Sequence, residues 1–215
     1  MRQSITLLFF IVLFANTAVG QAKLGLKFSP AISTNHRAEV ISDTLSIDRN
    51  SSKFKFSLGL IVDLPISERY FFSTGAIILP KTASVSIRAE NGGSYPNATE
   101  EYNLQYIQLP ATLKLFTNEV APDLTVYFQI GGAFEIRVDD RPIQDTNRLV
   151  QTFNPLDISG IIGAGAEYRL GINTTGFAGF SFQRGLINVV KTPINPDLDL
   201  TVKSTFISLD LGIKF

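Results

Sequence analysis

The sequence predicts an all-β fold, an eight-stranded antiparallel up-and-down transmembrane β-barrel, and three observations lead there. Apolar residues alternate with small or polar ones at the strand period of two along most of the chain. The connections alternate between tight turns and long polar loops. The polar face of the alternation is unusually rich in glycine, as a narrow interior requires.

Composition sets the frame. With 215 residues the chain is the size of a single domain with generous loops. It contains no Cys, which excludes a disulfide scaffold, a Cys-ligated zinc site and a thiol nucleophile. The 19 basic and 19 acidic residues cancel, so no basic face for nucleic acid is expected. A single His leaves little scope for His-based metal or acid–base chemistry.

The N-terminus reads as an export signal. Arg2 supplies a positive start, residues 5–15 (ITLLFFIVLFA) are unbroken apolar, and Ala18 and Gly20 place small side chains at a cleavage site. The apolar run is shorter than the roughly 18 residues a spanning helix needs. The expected division is a signal peptide over 1–20, with Gln21 the first mature residue, and a barrel domain over 21–215.

The strand segments follow in order. In the first, Leu24, Leu26 and Phe28 oppose Lys23, Gly25, Lys27 and Ser29. In the second, Phe54, Phe56, Leu58, Leu60, Val62 and Leu64 oppose Lys55, Ser57, Gly59, Ile61 and Asp63. The third and fourth occupy 69–87 and 102–116. The fifth sets Leu124, Val126, Phe128, Ile130, Gly132, Phe134, Ile136 and Val138 against Thr125, Tyr127, Gln129, Gly131, Ala133, Glu135 and Arg137. The sixth and seventh cover 156–170 and 174–186. The eighth runs Ile207, Leu209, Leu211, Ile213, Phe215 against Ser208, Asp210, Gly212 and Lys214.

Tight links are expected at 65–68, 117–122 and 171–173, and long ones at 35–53, 88–101, 139–155 and 187–202. An up-and-down arrangement gathers the tight turns at one end and the long loops at the other, which is the asymmetry of outer-membrane barrels. Alternation alone leaves the facing open, because a soluble lipocalin-type carrier lines its cavity with the apolar face. Gly25, Gly59, Gly131, Ala133, Gly163, Gly165 and Gly212 favour an inward polar face, since an outer surface in water has no need of strand-weakening glycine.

That facing places Lys27, Lys55, Asp63, Lys114, Glu135, Arg137, Asp157, Glu167, Arg169, Asp210 and Lys214 in the lumen. Such charges read either as an ion path or as a plug of salt bridges, and eight strands leave room mainly for the plug. Tyr70, Phe71, Phe72, Tyr102, Phe116, Tyr168 and Phe215 are candidates for interfacial aromatic girdles. His36, near Ser33 and Glu39, is the single position that invites a catalytic reading, although a loop entry holds such geometry badly. Asp197 with Asp199, or Asp139 with Asp140, are acidic pairs with little claim to a cation. The expected set of catalytic, cofactor and metal residues is therefore none, and no cofactor is expected.

One stretch resembles a known family. Tyr106-Ile107-Gln108-Leu109-Pro110-Ala111-Thr112-Leu113-Lys114-Leu115 is similar to the strand Y-[LI]-x-[LI]-P-x-x-L-K of the PorT-like outer-membrane β-barrels of Bacteroidetes-type bacteria. Thr117-Asn118-Glu119, Gln129-Ile130-Gly131-Gly132, Gly163-Ala164-Gly165-Ala166-Glu167-Tyr168 and the last strand ending in Phe215 are similar as well. The resemblance implies an eight-stranded barrel surrounded by outer-membrane lipid, inserted by the assembly machinery through its C-terminal strand. The namesake of that family takes part in a secretion pathway; the lone loop His and the four long outer loops lead to the first expectation, a non-enzymatic barrel whose outer loops contact a protein partner, a surface or a secretion component. A periplasmic lipocalin-like carrier, a small lipid-modifying enzyme and a narrow pore are the alternatives.

Overall fold

The computed structural model describes residues 22–40, 45–47, 52–89, 98–142, 150–193 and 200–215. The signal-peptide region, and the acidic pair Asp197 and Asp199, lie outside the described residues. Every element among the described residues is a strand: β1 (Lys23–Val40), β2 (Leu45–Ile47), β3 (Lys53–Pro65), β4 (Tyr70–Ala89), β5 (Ala98–Ala121), β6 (Leu124–Pro142), β7 (Val150–Phe153), β8 (Leu156–Arg169), β9 (Thr175–Gly185), β10 (Val190–Pro193) and β11 (Leu200–Lys214).

Eight of these form a closed antiparallel wall in chain order, β1-β3-β4-β5-β6-β8-β9-β11, with β11 pairing back onto β1. Closure is tight at the ends, where Leu24 and Phe215 exchange both backbone hydrogen bonds, at 3.1 and 2.7 Å. Following paired residues once around the wall, Phe54 leads through Ile32, Ile207, Phe182, Ile162, Ile130, Leu113 and Phe72 to Leu64. The path returns to β3 ten residues from its start, so the shear number is ten. With a rise of about 3.3 Å per residue and strands about 4.8 Å apart, eight strands at that shear tilt by roughly 40°. Each residue then climbs about 2.5 Å along the barrel axis, so ten residues cross the ~25 Å apolar band.

All nine residues on that path are large and apolar, and their face points outward. Phe54, Ile130 and Phe180 are 63%, 63% and 68% exposed, and Leu58, Leu60, Phe128 and Ile162 are similarly bare. A soluble carrier would hide this face in its cavity. An apolar surface on all sides suits lipid instead, and the carrier alternative falls. The backbone has no quarrel with lipid where the sheet is closed, because every amide finds its partner across a strand.

The three tight turns join β3 to β4, β5 to β6 and β8 to β9. Strand β5 runs on to Ala121, further than expected, leaving only Pro122 and Asp123 as the turn. Asp123 takes a left-handed φ of 63°, and Pro at the position before it completes the chemistry of a type II turn. At the other end the regions read as loops are partly sheet. Strands β4, β5 and β6 continue upward as hairpins, β2 pairs with the top of β4, and β7 pairs with β10. These three short strands carry no long alternation, so nothing local in the sequence reveals them.

The aromatic girdle is half right. Tyr70, Phe72, Tyr168 and Phe215 are exposed on the outer face at the tight-turn end. Tyr102 is buried inside the barrel, and Phe71 and Phe116 meet edge to face, ring centroids 5.1 Å apart, with Phe116 against the lumenal Tyr127. Their parity explains it: Tyr102 and Phe116 are in phase with Lys114, and Phe71 with Ser73.

Candidate functional site: a sealed lumen

The inward face is built from one small-and-polar set per strand, stacked in layers. At the tight-turn end Asp63 (β3), Lys114 (β5), Glu167 (β8) and Lys214 (β11) form a four-member ion cluster. Lys114 Nζ donates to both carboxylate oxygens of Asp63, at 3.1 and 3.0 Å. Lys214 Nζ bridges Asp63 and Glu167, and Ser73 donates to Asp63. The ammonium groups also lie over rings: Lys214 is 5.2 Å from the Phe177 centroid and Lys114 5.3 Å from that of Tyr127. A desolvated cation gains about 2 kcal/mol from such a face.

Beside it Lys27 Nζ donates to Asp210 at 2.8 Å, and the hydroxyls of Ser29 and Ser208 each donate to the same carboxylate at 2.8 Å. Glycine makes room for the large rings here. A Cβ on Gly179 would stand 2.5 Å from the Tyr127 hydroxyl oxygen, and one on Gly212 would stand 2.4 Å from the Phe177 ring. A cavity of ≈ 30 Å³ remains, lined by Lys27, Ser73, Gln108, Thr112, Tyr127 and Asp210 among others. That holds about two waters and no larger ligand.

The third layer is centred on Glu135. Gln108 and Ser159 donate to it at 2.8 Å, Lys81 pairs with it, and Gln108 also donates to Gln183 at 2.7 Å. Lys81 Nζ reaches Asp157 at 2.9 Å. Lys81, Glu135 and Asp157 are all fully buried. Lys81 is the lumenal residue that sequence reading missed. Its strand passes through Pro80 and Thr82, where alternation is broken, and only the phase from Ser73 through Ile77 and Leu79 would have found it.

Above lies an apolar cap. Leu79, Tyr102, Leu104, Tyr106, Val202 and Phe206 from the wall close over with Phe153, Val189 and Val190 from the segments around β7 and β10. Tyr102 and Phe153 meet edge to face, ring centroids 4.8 Å apart. Asn188 Oδ1 accepts from the amides of Val190 at 3.1 Å and Val202 at 2.8 Å, which fixes the cap to β11.

Of the expected lumenal charges, Asp63, Lys114, Glu135, Asp157, Glu167, Asp210 and Lys214 are buried inside, and Lys27 sits in the same network half-buried. Arg137 is half-buried under the cap, its guanidinium donating to the Phe153 carbonyl at 3.2 Å. Lys55 reaches Asn103 at the outer rim, at 2.6 Å. Arg169 departs from expectation: its side chain is 59% exposed at the tight-turn rim, beside Glu119 and Asp123 at 3.6 and 3.4 Å. One residue past Tyr168 the strand ends, so inward parity there faces the open mouth. Ser33 is fully buried and accepts from the Thr82 amide at 3.2 Å, while the side chains of His36, Glu39 and Asp140 lie outside the described residues. Among the described residues no cluster of potential ligands is arranged to hold a metal ion.

Comparison with known proteins agrees with this geometry. The family described as outer membrane protein beta-barrel domain matches residues 14–191. Among solved structures, the chain is similar in fold to the outer membrane protein OprG from Pseudomonas aeruginosa, at 12% identity and TM-score 0.50 over 90% of this chain and 96% of that one. AlkL in lipid bilayers matches at 13% identity and TM-score 0.49 over 90% and 88%. Neisserial surface protein A matches at 13% identity and TM-score 0.48 over 90% and 97%. No curated protein matches. With its apolar wall, its eight closed strands and a family match across most of its length, the chain belongs to the outer membrane protein beta-barrel domain family and resides in the bacterial outer membrane.

Proposed function

We propose that this is a non-enzymatic barrel that works through its outer hairpins, presenting them to a protein or surface partner, as a PorT-like accessory of secretion does. One observation carries the reading: the interior is filled and capped while the wall continues past the membrane. On β5 the outward apolar face stops at Ile107, and the exposed outward residues above it, Gln105 and Asn103, are polar. The strand begins at Ala98, nine residues beyond Ile107, which is about 20 Å of axial rise above the lipid at that tilt. A chain that pays for so much ordered sheet in water, and fills its own channel, is built to show a surface rather than to pass a solute.

The resemblance to PorT-like strands supports the finer assignment through its position. Tyr106, Gln108, Pro110 and Lys114 of that motif all point inward, into the cap, the Glu135 layer and the Asp63 cluster. The motif therefore encodes the plug. The tight turns lie in the periplasm, as is general for such barrels, and the terminal Phe215 faces outward there as a mark for the assembly machinery. Photo-crosslinkers at Gln105 and Asn103 in the native membrane test the proposal. Discrete adducts to one protein or surface polymer support it. Adducts indistinguishable from those of a crosslinker at Ile66, in a tight turn at the opposite end, defeat it. Retained function in His36→Ala separates this reading from an enzyme.

A further inference from the structure

Among the described residues, the outward positions of the wall between the heights of Phe54 and Leu64 are uncharged, with one break. On β9 the outward series Ala178, Phe180 and Phe182 continues to Arg184, whose side chain is exposed. The inward neighbour Gln183 is buried and bonded to Gln108, which fixes the parity.

Height gives this arginine its meaning. The paired path from Phe54 passes Ile32 and Ile207 and reaches β9 at Phe182, three strand steps away. Each step descends about 3 Å at that tilt and each residue climbs about 2.5 Å, so Arg184 stands about 4 Å inside the outer edge of the apolar band. Ile158 on β8 and Ile107 on β5 lie at nearly the same depth. Thr205 on β11 and Gly160 on β8 face Arg184 across the two ladders. Lys203, two residues above Thr205 and half-buried, is the diagonal neighbour on the same face, about 7–8 Å from Arg184.

These two cations differ from those of the interior. Lys27, Lys81, Lys114 and Lys214 each hold a carboxylate. Among the described residues no ion pair, hydrogen bond or ring contact engages the charged head of Arg184 or Lys203. The outward positions around them supply no acid: Ile158, Gly160, Phe182, Thr205 and Ile207 are apolar or neutral. A charge on the lipid face is tolerated where its head reaches the interface. There a guanidinium fits the paired oxygens of a phosphate.

A second feature lies just below. Gly160 and Gly132 pair across the β8–β6 ladder, both on the outward face. A Cβ on Gly160 would meet nothing within 4 Å, and one on Gly132 would meet only the Ser159 carbonyl oxygen, at 3.1 Å. No interior group fills that space, so the missing side chains leave a hollow on the lipid side, with Ile158, Ile162, Phe134 and Phe182 around it. Two cations above an apolar hollow match an anionic headgroup above an acyl chain.

We infer that Arg184 and Lys203 hold the phosphate of an outer-leaflet lipid whose acyl chain descends over Gly160 and Gly132. The site lies on the outside of the wall and does not depend on the partner role proposed for the hairpins. The test is native mass spectrometry of the full chain, titrated with diphosphorylated lipid A and with lipid A stripped of both phosphates. One lipid should be retained, the phosphorylated form about tenfold or more tighter. Arg184→Gln with Lys203→Gln should erase that preference, while Arg69→Gln at the tight-turn end should keep it. Gly160→Leu fills the hollow and should weaken both lipids alike. Unchanged migration of the unheated chain on a gel shows the barrel intact in each variant. Equal retention of the two lipids by the parent chain overturns the inference, as does a preference that survives the double substitution. Displacement of lipid A by inorganic phosphate at the same concentration also overturns it, because that marks a free-ion site.

Discussion

Lys81 shows what a single lumenal charge does. It is the sole cation contacting both Glu135 and Asp157 among the ion pairs of the described residues. Lys81→Met leaves two buried carboxylates facing each other, and breaking a buried pair this way costs about 3–5 kcal/mol. Urea unfolding from lipid vesicles should show that loss, and the triple change Lys81→Met, Glu135→Gln, Asp157→Asn should recover most of it. Equal stability of the single and triple variants would refute the ion-network account. Gly179 poses the steric counterpart. Gly179→Ala drives a methyl to 2.5 Å from the Tyr127 hydroxyl, with Ala164 carbonyl oxygen at 2.8 Å. Overpacking of this kind costs about 1–3 kcal/mol. Tyr127→Phe in the same chain removes the closest atom and should return part of the stability, a pattern that a general dislike of alanine at 179 would not produce.

At the scale of the element, the outward face sets a depth scale. Ile162 stands midway along the path from Phe54 to Leu64, whereas Gln105 lies above the last outward apolar residue of β5. Ile162→Lys should destabilise by about 2–4 kcal/mol and Gln105→Lys by about 0–1, read from unfolding in the same vesicles. A flat profile would mean that the wall does not cross the bilayer at this tilt. The long strands were legible because period two persists over many residues, and the tight turns because Pro65, Pro122 and Gly171 punctuate them. Strands β2, β7 and β10 were not legible. They are three or four residues long, and what makes them strands is a partner distant in sequence.

For the whole molecule, the filled lumen and the direction of the apolar face lead to two measurements. Planar-bilayer recording should show no discrete conductance steps, because three polar layers and an apolar cap lie in series and the described cavity holds about two waters. Stable unitary steps would contradict the seal. Spin labels at Phe128 and Leu209 should be relaxed by oxygen dissolved in lipid and shielded from a water-soluble nickel reagent. The reverse ranking would turn the barrel inside out.

By itself the sequence determined the class, the strand number and the facing. Alternation is a local property, and glycine on the polar face betrays a crowded interior before any contact is known. Tertiary structure decided which charges meet, as in Lys214 between Asp63 and Glu167, and that Arg169 escapes to the rim while Lys81 enters. It also decided that the upper segments fold back into an apolar lid, and that β4 leaves β3 near the top of the wall, above the Leu58↔Ile78 pair. These outcomes depend on shear and on the curvature of β4, which arise only when the sheet closes on itself, and no window of neighbouring residues contains that closure.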